Sequence, residues 1–178
     1  TAPFWGFFNK EIGTGESAKT ELNKIFFPNK HGFETVKPMK LIERLIYHES
    51  LKNSIILDSF AGSGTTAHAV LNLNKKDGGK RKFILIEMED YANTITAERV
   101  KRVSNGYGNG NSEVKGTDGA FDFYELGLPL FDENQNLNEQ IAIEKIREYI
   151  WFSETRISFT EPKQTKESSY FLGKKDDS

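Results

Sequence analysis

Glycine and acidic residues mark the part of this 178-residue chain that is equipped for ligand chemistry. Gly62 and Gly64 lie in a short turn after an apolar run, Asp58 precedes the turn, and Glu87 ends the next apolar run, 23 residues after Gly64. A turn without Cβ atoms lets a ligand approach the backbone, and the helix that follows presents unpaired N–H groups. An acid at the neighbouring strand end can accept hydrogen bonds from ribose hydroxyls. The pattern predicts a site for a nucleoside-containing ligand.

Two ligand classes fit this turn, and a purely structural turn is the alternative to both. Gly62, Gly64 and Ala67 satisfy the dinucleotide pattern G-x-G-x-x-A, and Glu87 follows Ala67 by 20 residues, as an NAD ribose acid would. Asp58 favours the second class, because an acid beside the loop repels a pyrophosphate but pairs with an ammonium group. S-adenosylmethionine carries an ammonium group and a ribose. No G-x-x-x-x-G-K-[ST] sequence is present, which disfavours a nucleoside triphosphate.

The elements that must position this turn alternate between strand and helix patterns. Apolar side chains recur at helical spacing behind Pro38 and predict a helix over 38–49. The apolar runs 55–57 and 83–86 are typical of strands buried on both faces, with helix patterns over 65–73 and 91–103. Such alternation predicts an α/β fold with a parallel sheet and flanking helices.

The remaining chain divides into an N-terminal arm and a C-terminal segment. Residues 1–36 show no sustained period apart from a possible short helix over 17–25, so we expect an irregular arm before a cofactor-binding core over 37–104. Residues 105–178 are expected to form a flexible linker and an acidic segment. Within it we predict a mobile glycine-rich connection over 105–119, strands over 121–126 and 168–172, a helix over 137–151, and a frayed tail over 174–178.

Three short motifs resemble those of amino-methylating DNA methyltransferases. The run 55–66, IILDSFAGSGTT, is similar to motif I, although Ser59 replaces the usual Pro after the acid. Residues 35–39, TVKPM, resemble motif X, and residues 83–87 resemble motif II. The order X, I, II resembles the beta class, because the alpha and gamma classes place their other motifs differently around the cofactor half.

The resemblance narrows to the modification subunit of type III restriction-modification systems, through further segments over 5–11, 77–83, 98–102, 121–126 and 146–151. It implies a Rossmann-like S-adenosylmethionine-dependent methyltransferase fold, incomplete in this chain, and methyl transfer from S-adenosylmethionine to adenine N6 in duplex DNA. It also implies a second modification subunit, forming a homodimer, and a restriction subunit as partners.

The resemblance also assigns cofactor-binding roles residue by residue. It implies that the loop that holds the cofactor consists of Phe60, Gly62, Gly64, Thr65 and Thr66. Asp58 is implied as the acidic companion of this loop and Glu87 as the ribose ligand. Lys37 and Pro38 would contribute from motif X. Each has a structural alternative: core packing for Phe60, a helix start for Pro38 and a solvated side chain for Lys37.

The catalytic motif of this family is missing from the chain. In this family, methyl transfer to an exocyclic amine uses the motif [D/N/S]-P-P-[Y/F/W]. Its polar groups accept hydrogen bonds from the amine, and its aromatic ring stacks on the flipped base. None of the five Pro residues is adjacent to another, so we assign no catalytic residue. In the beta class this motif precedes motif X, and the chain begins at Thr1 rather than Met. We therefore expect a C-terminal piece of a longer enzyme that is inactive alone.

Charge and composition limit the partners. The 24 basic and 26 acidic residues give a net charge of −2, which excludes attachment to nucleic acid or anionic membrane by bulk charge alone. Residues 1–104 carry 16 basic and 12 acidic groups (+4), whereas residues 105–178 carry 8 and 14 (−6), so an anionic partner should meet the first part. With no Cys and three isolated His, we expect no metal site. We expect no membrane partner and a cytoplasmic location, because no secretory or spanning segment is visible.

The basic turn and the acidic C-terminal segment each allow a further function. The basic turn formed by Lys75, Lys76, Lys80, Arg81 and Lys82 is either a solvated loop or a contact for DNA phosphates. The acidic C-terminal segment is alternatively an assembly module, because Leu128, Leu130 and Phe131 precede a helix pattern bearing Tyr149, Ile150 and Trp151.

Overall fold

The structure, a computed structural model, describes residues 10–160 and 171–174. The chain forms two compact units, Thr1–Phe123 and Tyr124–Ser178. After residue 104, Tyr107 and Phe121 still pack on the core of the first unit. In the described residues no helix has the length and apolar character needed to cross a membrane.

Residues 10–36 are more ordered than the irregular arm that was predicted over 1–36. After a 3₁₀ turn, Lys10–Ile12, helix α1 spans Gly15–Phe26. Its N terminus is a capping box in which Thr14 Oγ1 accepts from Ser17 N and Ser17 Oγ accepts from Thr14 N. The short helix predicted over 17–25 is therefore confirmed. It is stable here because one face buries four apolar side chains in the core: Ala18, Leu22, Ile25 and Phe26.

The α/β alternation is confirmed in the central part of the first unit. Helix α2 spans Met39–Glu49, strand β1 Ile55–Asp58, helix α3 Thr65–Asp77 and strand β2 Lys82–Leu85. The two strands pair in parallel, with Ile55 opposite Lys82 and Asp58 opposite Leu85. Strand β1, helix α3 and strand β2 form a βαβ unit in which the carboxyl ends of both strands lie at one edge of the sheet.

Only one face of this sheet is covered among the described residues. On the covered face, Ile56 and Phe83 pack on a cluster made by α2 and α3: Ile46, Ala69, Val70 and Leu73. The opposite face, here called the apolar sheet face, consists of Ile55, Leu57, Ile84 and Ile86, which are exposed by 62, 63, 51 and 48%. The expectation that both strands are buried on both faces is therefore wrong for this chain, because no described element packs on the second face.

The helix predicted over 91–103 is present but begins irregularly. A π-helical turn spans Ala92–Ala97 and continues as α4, Glu98–Asn105. Ile95 and Val100 point inward, as predicted, and Arg99 is buried on the same side.

The glycine-rich stretch 105–119 is not simply a mobile connection. Strands β3, Gly106–Tyr107, and β4, Val114–Lys115, form a short antiparallel hairpin around a 3₁₀ turn, Gly110–Ser112. Close packing explains why residue 116 is a glycine, because a Cβ at this position would lie 2.3 Å from the carbonyl oxygen of Ser104.

The part of the chain after residue 120 differs most from the sequence predictions. Residues 121–126, all of them described, form no strand, and Leu126 is fully exposed. Helix α5 spans Ile143–Thr155 rather than 137–151, and none of its side chains is fully buried. The stretch before it is a series of turns, in which Asn138 N donates to the carbonyl oxygen of Leu130. Of the strand predicted over 168–172, residues 168–170 lie outside the described residues, and Phe171 and Leu172 have no regular structure. Most of the predicted frayed tail, 175–178, also lies outside them.

Candidate functional site

The turn between β1 and α3 is joined to the chain that leaves β2. Ile86 N donates to the carbonyl oxygen of Asp58 at 2.9 Å, and Ala61 N donates to the carbonyl oxygen of Ile86 at 3.0 Å. These bonds extend the parallel pairing beyond the strands, so that the acids at the two strand ends lie on either side of the glycine turn. We call residues 58–66 the glycine loop.

Asp58 closes the glycine loop at its base. Its Oδ1 accepts from the backbone N–H of Phe60 at 3.2 Å, and its Oδ2 accepts from Thr66 Oγ1 at 2.5 Å. The side chain of Phe60, by contrast, is 83% exposed at the outside of the loop. Asp58 therefore links the end of β1 to the first turn of α3.

Glu87 holds the other side of the glycine loop. Its Oε2 accepts from the backbone N–H of Gly62 at 2.7 Å, and its Oε1 accepts from Met88 N at 2.9 Å and Glu89 N at 3.1 Å. Burial, reinforced by the negative charges of Glu87 and Glu89, raises the pKa of the nearby Tyr91 phenol. The half-buried Glu87 carboxylate is thus fixed by three N–H groups: Oε1 accepts two of them, and Oε2 accepts one and keeps a further acceptor position.

Glycine is required in the loop for conformation and for space. Gly62 and Gly64 have φ of 54° and 77°, in the left-handed region that side chains disfavour. A Cβ on Gly64 would also lie 3.0 Å from the carbonyl oxygen of Thr96. Thr96 Oγ1 in turn donates to the carbonyl oxygen of Gly62 at 2.6 Å, so the π-helical turn packs directly beneath the loop.

A fully buried arginine lies under the same loop. Arg99 Nη1 donates to the carbonyl oxygen of Ser63 at 3.2 Å, to Ser63 Oγ at 2.9 Å and to Thr65 Oγ1 at 2.8 Å. Its Nη2 lies 3.2 Å from His68 Nδ1 and 4.0 Å from a Glu21 carboxylate oxygen. Burial lowers the pKa of Arg99 to about 10, which leaves it charged at neutral pH. Burial and the charge of Arg99 lower the pKa of His68 to about 3.

The structure brings together most of the residues expected at the site. Asp58, Gly62, Thr66 and Glu87 are joined by the hydrogen bonds above, and Gly64 forms the N-cap of α3. Thr65 is buried and faces Arg99. The motif X residues behave differently: Lys37 is exposed, and Pro38 is the half-buried N-cap of α2, near Gly13.

Three residues beside the loop were missed by the sequence reasoning. Phe33 lies 3.6 Å from the position of a Cβ on Gly62 and stacks edge-on against Tyr91, with ring centroids 5.1 Å apart. Thr96 and Arg99 support the loop from below. Arg99 had a detectable signal, because it lies three residues after Thr96 and next to Val100, on the inward side of the predicted helix.

A groove of about 510 Å³ adjoins this region and shares Phe33 and Tyr91 with it. It is lined by His31, Gly32, Phe33, Glu34, Asp90, Tyr91, Thr94 and Ile95. The groove therefore extends the candidate site from the end of β2 toward the segment before α2. The described residues include no group of three or more His, Asp or Glu side chains that could hold a metal ion.

The basic turn is mainly structural. Arg81 is buried and forms two hydrogen bonds to the Asp77 carboxylate, at 3.2 and 3.0 Å, which lower the pKa of Asp77. Lys76 pairs with Glu43, and Lys75 donates to the carbonyl oxygens of Lys115 and Gly116. The side chains of Lys80 and Lys82 are exposed. Arg81 is therefore unsuited to binding DNA phosphates.

Comparison with known proteins defines the class to which this site belongs. The DNA methylase family profile matches residues 5–98, which is more than half of the chain. The matched segment contains the glycine loop, both strand-end acids and the π-helical turn. The chain therefore belongs to the DNA methylase family.

Its relatives include modification subunits of type III restriction-modification enzymes. The chain is 32% identical over 143 residues to the StyLTI Mod subunit of Salmonella typhimurium, a match that covers 72% of this chain and 21% of the relative. It is 46% identical over 87 residues to the EcoPI Mod subunit of Escherichia phage P1, covering 49% and 13%. It is 47% identical over 72 residues to the type II methyltransferase M.KpnI of Klebsiella pneumoniae, covering 40% and 17%. The family resemblance is confirmed, and the chain spans about a fifth or less of these relatives.

Proposed function

We propose that this chain is the cofactor-binding part of a site-specific DNA methyltransferase of a type III restriction-modification system, transferring a methyl group from S-adenosylmethionine to adenine N6 in duplex DNA. The observation that carries the proposal is the glycine loop held between Asp58 and Glu87 at the ends of two parallel strands. The family match and the Mod-subunit relatives support it.

The residues at the loop fit an S-adenosylmethionine molecule. Glu87 Oε2 has an unused acceptor position for a ribose hydroxyl, and Asp58 supplies negative charge for the ligand ammonium group. The exposed ring of Phe60 and the groove lined by Phe33 and Tyr91 leave room for the ligand at the loop surface. When bound, S-adenosylmethionine supplies an activated methyl group, and the residues of this chain bind and orient its adenosine and amino-acid ends. Lys37 and Pro38 retain their proposed place in motif X.

We infer that the methyl transfer itself depends on residues outside this chain. The chain has no adjacent prolines and hence no segment of the D-P-P-Y type. The apolar sheet face supports the same conclusion, because parallel sheets are ordinarily covered on both faces. Further strands and helices of the same enzyme would cover it and complete a Rossmann-like sheet, since the Mod-subunit relatives are several times longer than this chain.

Titration calorimetry tests the cofactor class. We expect S-adenosylhomocysteine to bind and NAD to give no heat of binding. Binding of NAD in preference to S-adenosylhomocysteine would instead support the dehydrogenase alternative. The 178-residue chain should transfer no methyl group from labelled S-adenosylmethionine to duplex DNA, and transfer by this chain alone would contradict the proposed division of the enzyme.

The partners follow from the same proposal. Duplex DNA would contact mainly the missing part of the enzyme, and a second modification subunit and a restriction subunit would complete the assembly in the cytoplasm. The second unit favours a role in assembly, because it exposes Leu126, Leu128, Tyr149 and Ile150. Light scattering should show a lower association state after truncation following Phe123. An unchanged state would contradict the assembly role.

A further inference from the structure

We propose that Arg99 is a positioning residue that makes the glycine loop selective for a ligand bearing a carboxylate. This inference rests on the proposed function and adds a basis for specificity to it. Arg99 is 0% exposed, so it acts through the loop and not by touching the ligand. Two features act together: Thr96 and Arg99 set the direction of the loop peptides, and Arg99 places a buried positive charge beneath them.

The direction of the peptides follows from two hydrogen bonds. Thr96 Oγ1 binds the carbonyl oxygen of Gly62, and Arg99 Nη1 binds that of Ser63. Both carbonyls are therefore turned toward the helix beneath the loop. In a trans peptide the N–H points opposite to the carbonyl, so the N–H groups of Ser63 and Gly64 are directed away from Arg99. Gly64 N, in the peptide that Arg99 binds, donates to the carbonyl oxygen of Ala61. The Ser63 N–H, in the peptide that Thr96 binds, is therefore the donor best directed toward a ligand, and Arg99 acts on that ligand through its charge.

The positive charge is poorly neutralised. The nearest carboxylate, that of Glu21, lies 4.0 Å from Nη2, beyond hydrogen-bonding distance, and its pKa is raised by burial. The remaining partners of the guanidinium group are neutral: Ser63, Thr65 and the Nδ1 atom of His68. Arg99 Nε is buried without a hydrogen-bond partner among the described residues.

A fixed cation one hydrogen bond below Ser63 and Thr65 makes the potential more positive at that part of the loop. The effect is strong because the surroundings are buried and of low dielectric constant. The N terminus of α3, which starts at Thr65, adds a positive dipole end in the same place. An anionic group is therefore favoured beside Ser63 and Thr65, and not at the parts of the loop that the Asp58 and Glu87 carboxylates hold. The carboxylate at the amino-acid end of S-adenosylmethionine is such a group, whereas the strand-end acids Asp58 and Glu87 serve its cationic and neutral parts.

The test compares two ligands that differ only in this group. S-adenosylhomocysteine carries the carboxylate, and its decarboxylated analogue retains the amine and the adenosine. We expect the 178-residue chain to prefer S-adenosylhomocysteine by about tenfold. The Arg99→Met variant should lose this preference, and Arg99→Lys, which keeps the charge, should retain most of it even where both affinities fall. Arg102→Met is the matched control on the same helix, because Arg102 pairs with Glu98 away from the loop, and it should leave the preference unchanged.

The outcomes separate the inference from the proposed function. If the unmodified chain binds neither ligand, the proposed function fails. If it binds S-adenosylhomocysteine but Arg99→Met keeps the preference, or lowers both affinities equally, Arg99 is only a structural residue and the inference fails.

A second variant keeps the inference testable where Arg99→Met does not fold. Glu21→Gln removes the nearest negative charge without changing the loop, so at pH 8 it should increase the preference for the carboxylate by roughly two- to threefold. An unchanged or smaller preference in Glu21→Gln would overturn the inference. Thermal unfolding of each variant, followed by circular dichroism, establishes that the compared proteins are folded.

Discussion

The backbone N–H of Gly62 donates to the side-chain carboxylate of Glu87 at 2.7 Å, although the two residues are 25 positions apart. The bond joins the glycine turn after β1 to the acid after β2. The two sequence motifs therefore form one hydrogen-bonded unit, and a change at either residue should alter the other.

Replacing Glu87 tests this unit. In Glu87→Gln the charged acceptor of the Gly62 N–H becomes a neutral amide, and hydrogen bonds to charged groups contribute about 1.5–3 kcal/mol. We expect the affinity for S-adenosylhomocysteine to fall by about tenfold or more in calorimetry. Glu89→Gln is the matched control, because the Glu89 side chain is exposed and only its backbone N–H binds Glu87. Equal losses in the two variants would refute a specific role of Glu87.

Two glycines with similar backbone conformations separate strain from crowding. Gly64 and Gly78 have φ of 77° and 66°, but only a Cβ on Gly64 would meet a neighbour, the carbonyl oxygen of Thr96 at 3.0 Å. Both alanine variants should lose about 1 kcal/mol of unfolding free energy from the left-handed conformation. Gly64→Ala should lose more and should also weaken ligand binding. Urea denaturation measures the unfolding free energy of both variants, and calorimetry measures their ligand binding. Normal binding by Gly64→Ala would contradict the assigned loop geometry.

Acid should destabilise the first unit through His68. The folded protein holds this side chain neutral, with a pKa of about 3 against an ordinary value of 6.5, so unfolding takes up a proton below pH 6.5. Its stabilisation is therefore complete above pH 6.5 and is lost progressively as the pH falls toward 3. Between pH 7 and pH 5 this amounts to about 2 kcal/mol. Urea denaturation at both pH values should show a smaller loss in His68→Gln, and an equal loss would be inconsistent with a neutral buried His68.

The basic turn should divide into structural and dispensable residues. Arg81→Ala removes the two hydrogen bonds that the guanidinium group donates to the Asp77 carboxylate and should lower the free energy of unfolding by about 2–3 kcal/mol. The exposed Lys80 is its control, and Lys80→Ala should change stability by less than about 0.5 kcal/mol. Thermal or urea denaturation measures both. Similar values for the two variants would disprove the structural role, and tests of DNA binding should therefore change Lys80 and Lys82 while leaving Arg81 in place.

Local patterns were sufficient for the central helices and strands of the first unit. Helix α2 follows from the apolar spacing behind Pro38, and the parallel pairing of β1 and β2 follows from two apolar runs separated by a helix pattern. The positions of Asp58 and Glu87 at one edge then follow from the geometry of parallel strands.

Tertiary packing decided the features that the sequence patterns missed. Nothing local to residues 15–26 shows that α1 buries four side chains in the core, or that Arg99 reaches residues more than thirty positions earlier. The second unit lacks such packing: Phe131 stacks on Tyr149, but α5 buries no side chain fully, so neighbouring turns determine where the helix begins. The exposed sheet face was missed because an apolar run looks the same whether or not a second layer covers it.

The contiguity of the glycine loop and its supports has a consequence for how such enzymes are assembled along a chain. Every hydrogen bond described here that fixes the loop joins residues between Asp58 and Arg99. A circular permutation with new termini outside this stretch would leave those bonds intact, since surface connections tolerate new ends. The glycine loop and its supports are thus independent of the order in which the segments outside 58–99 follow one another along the chain.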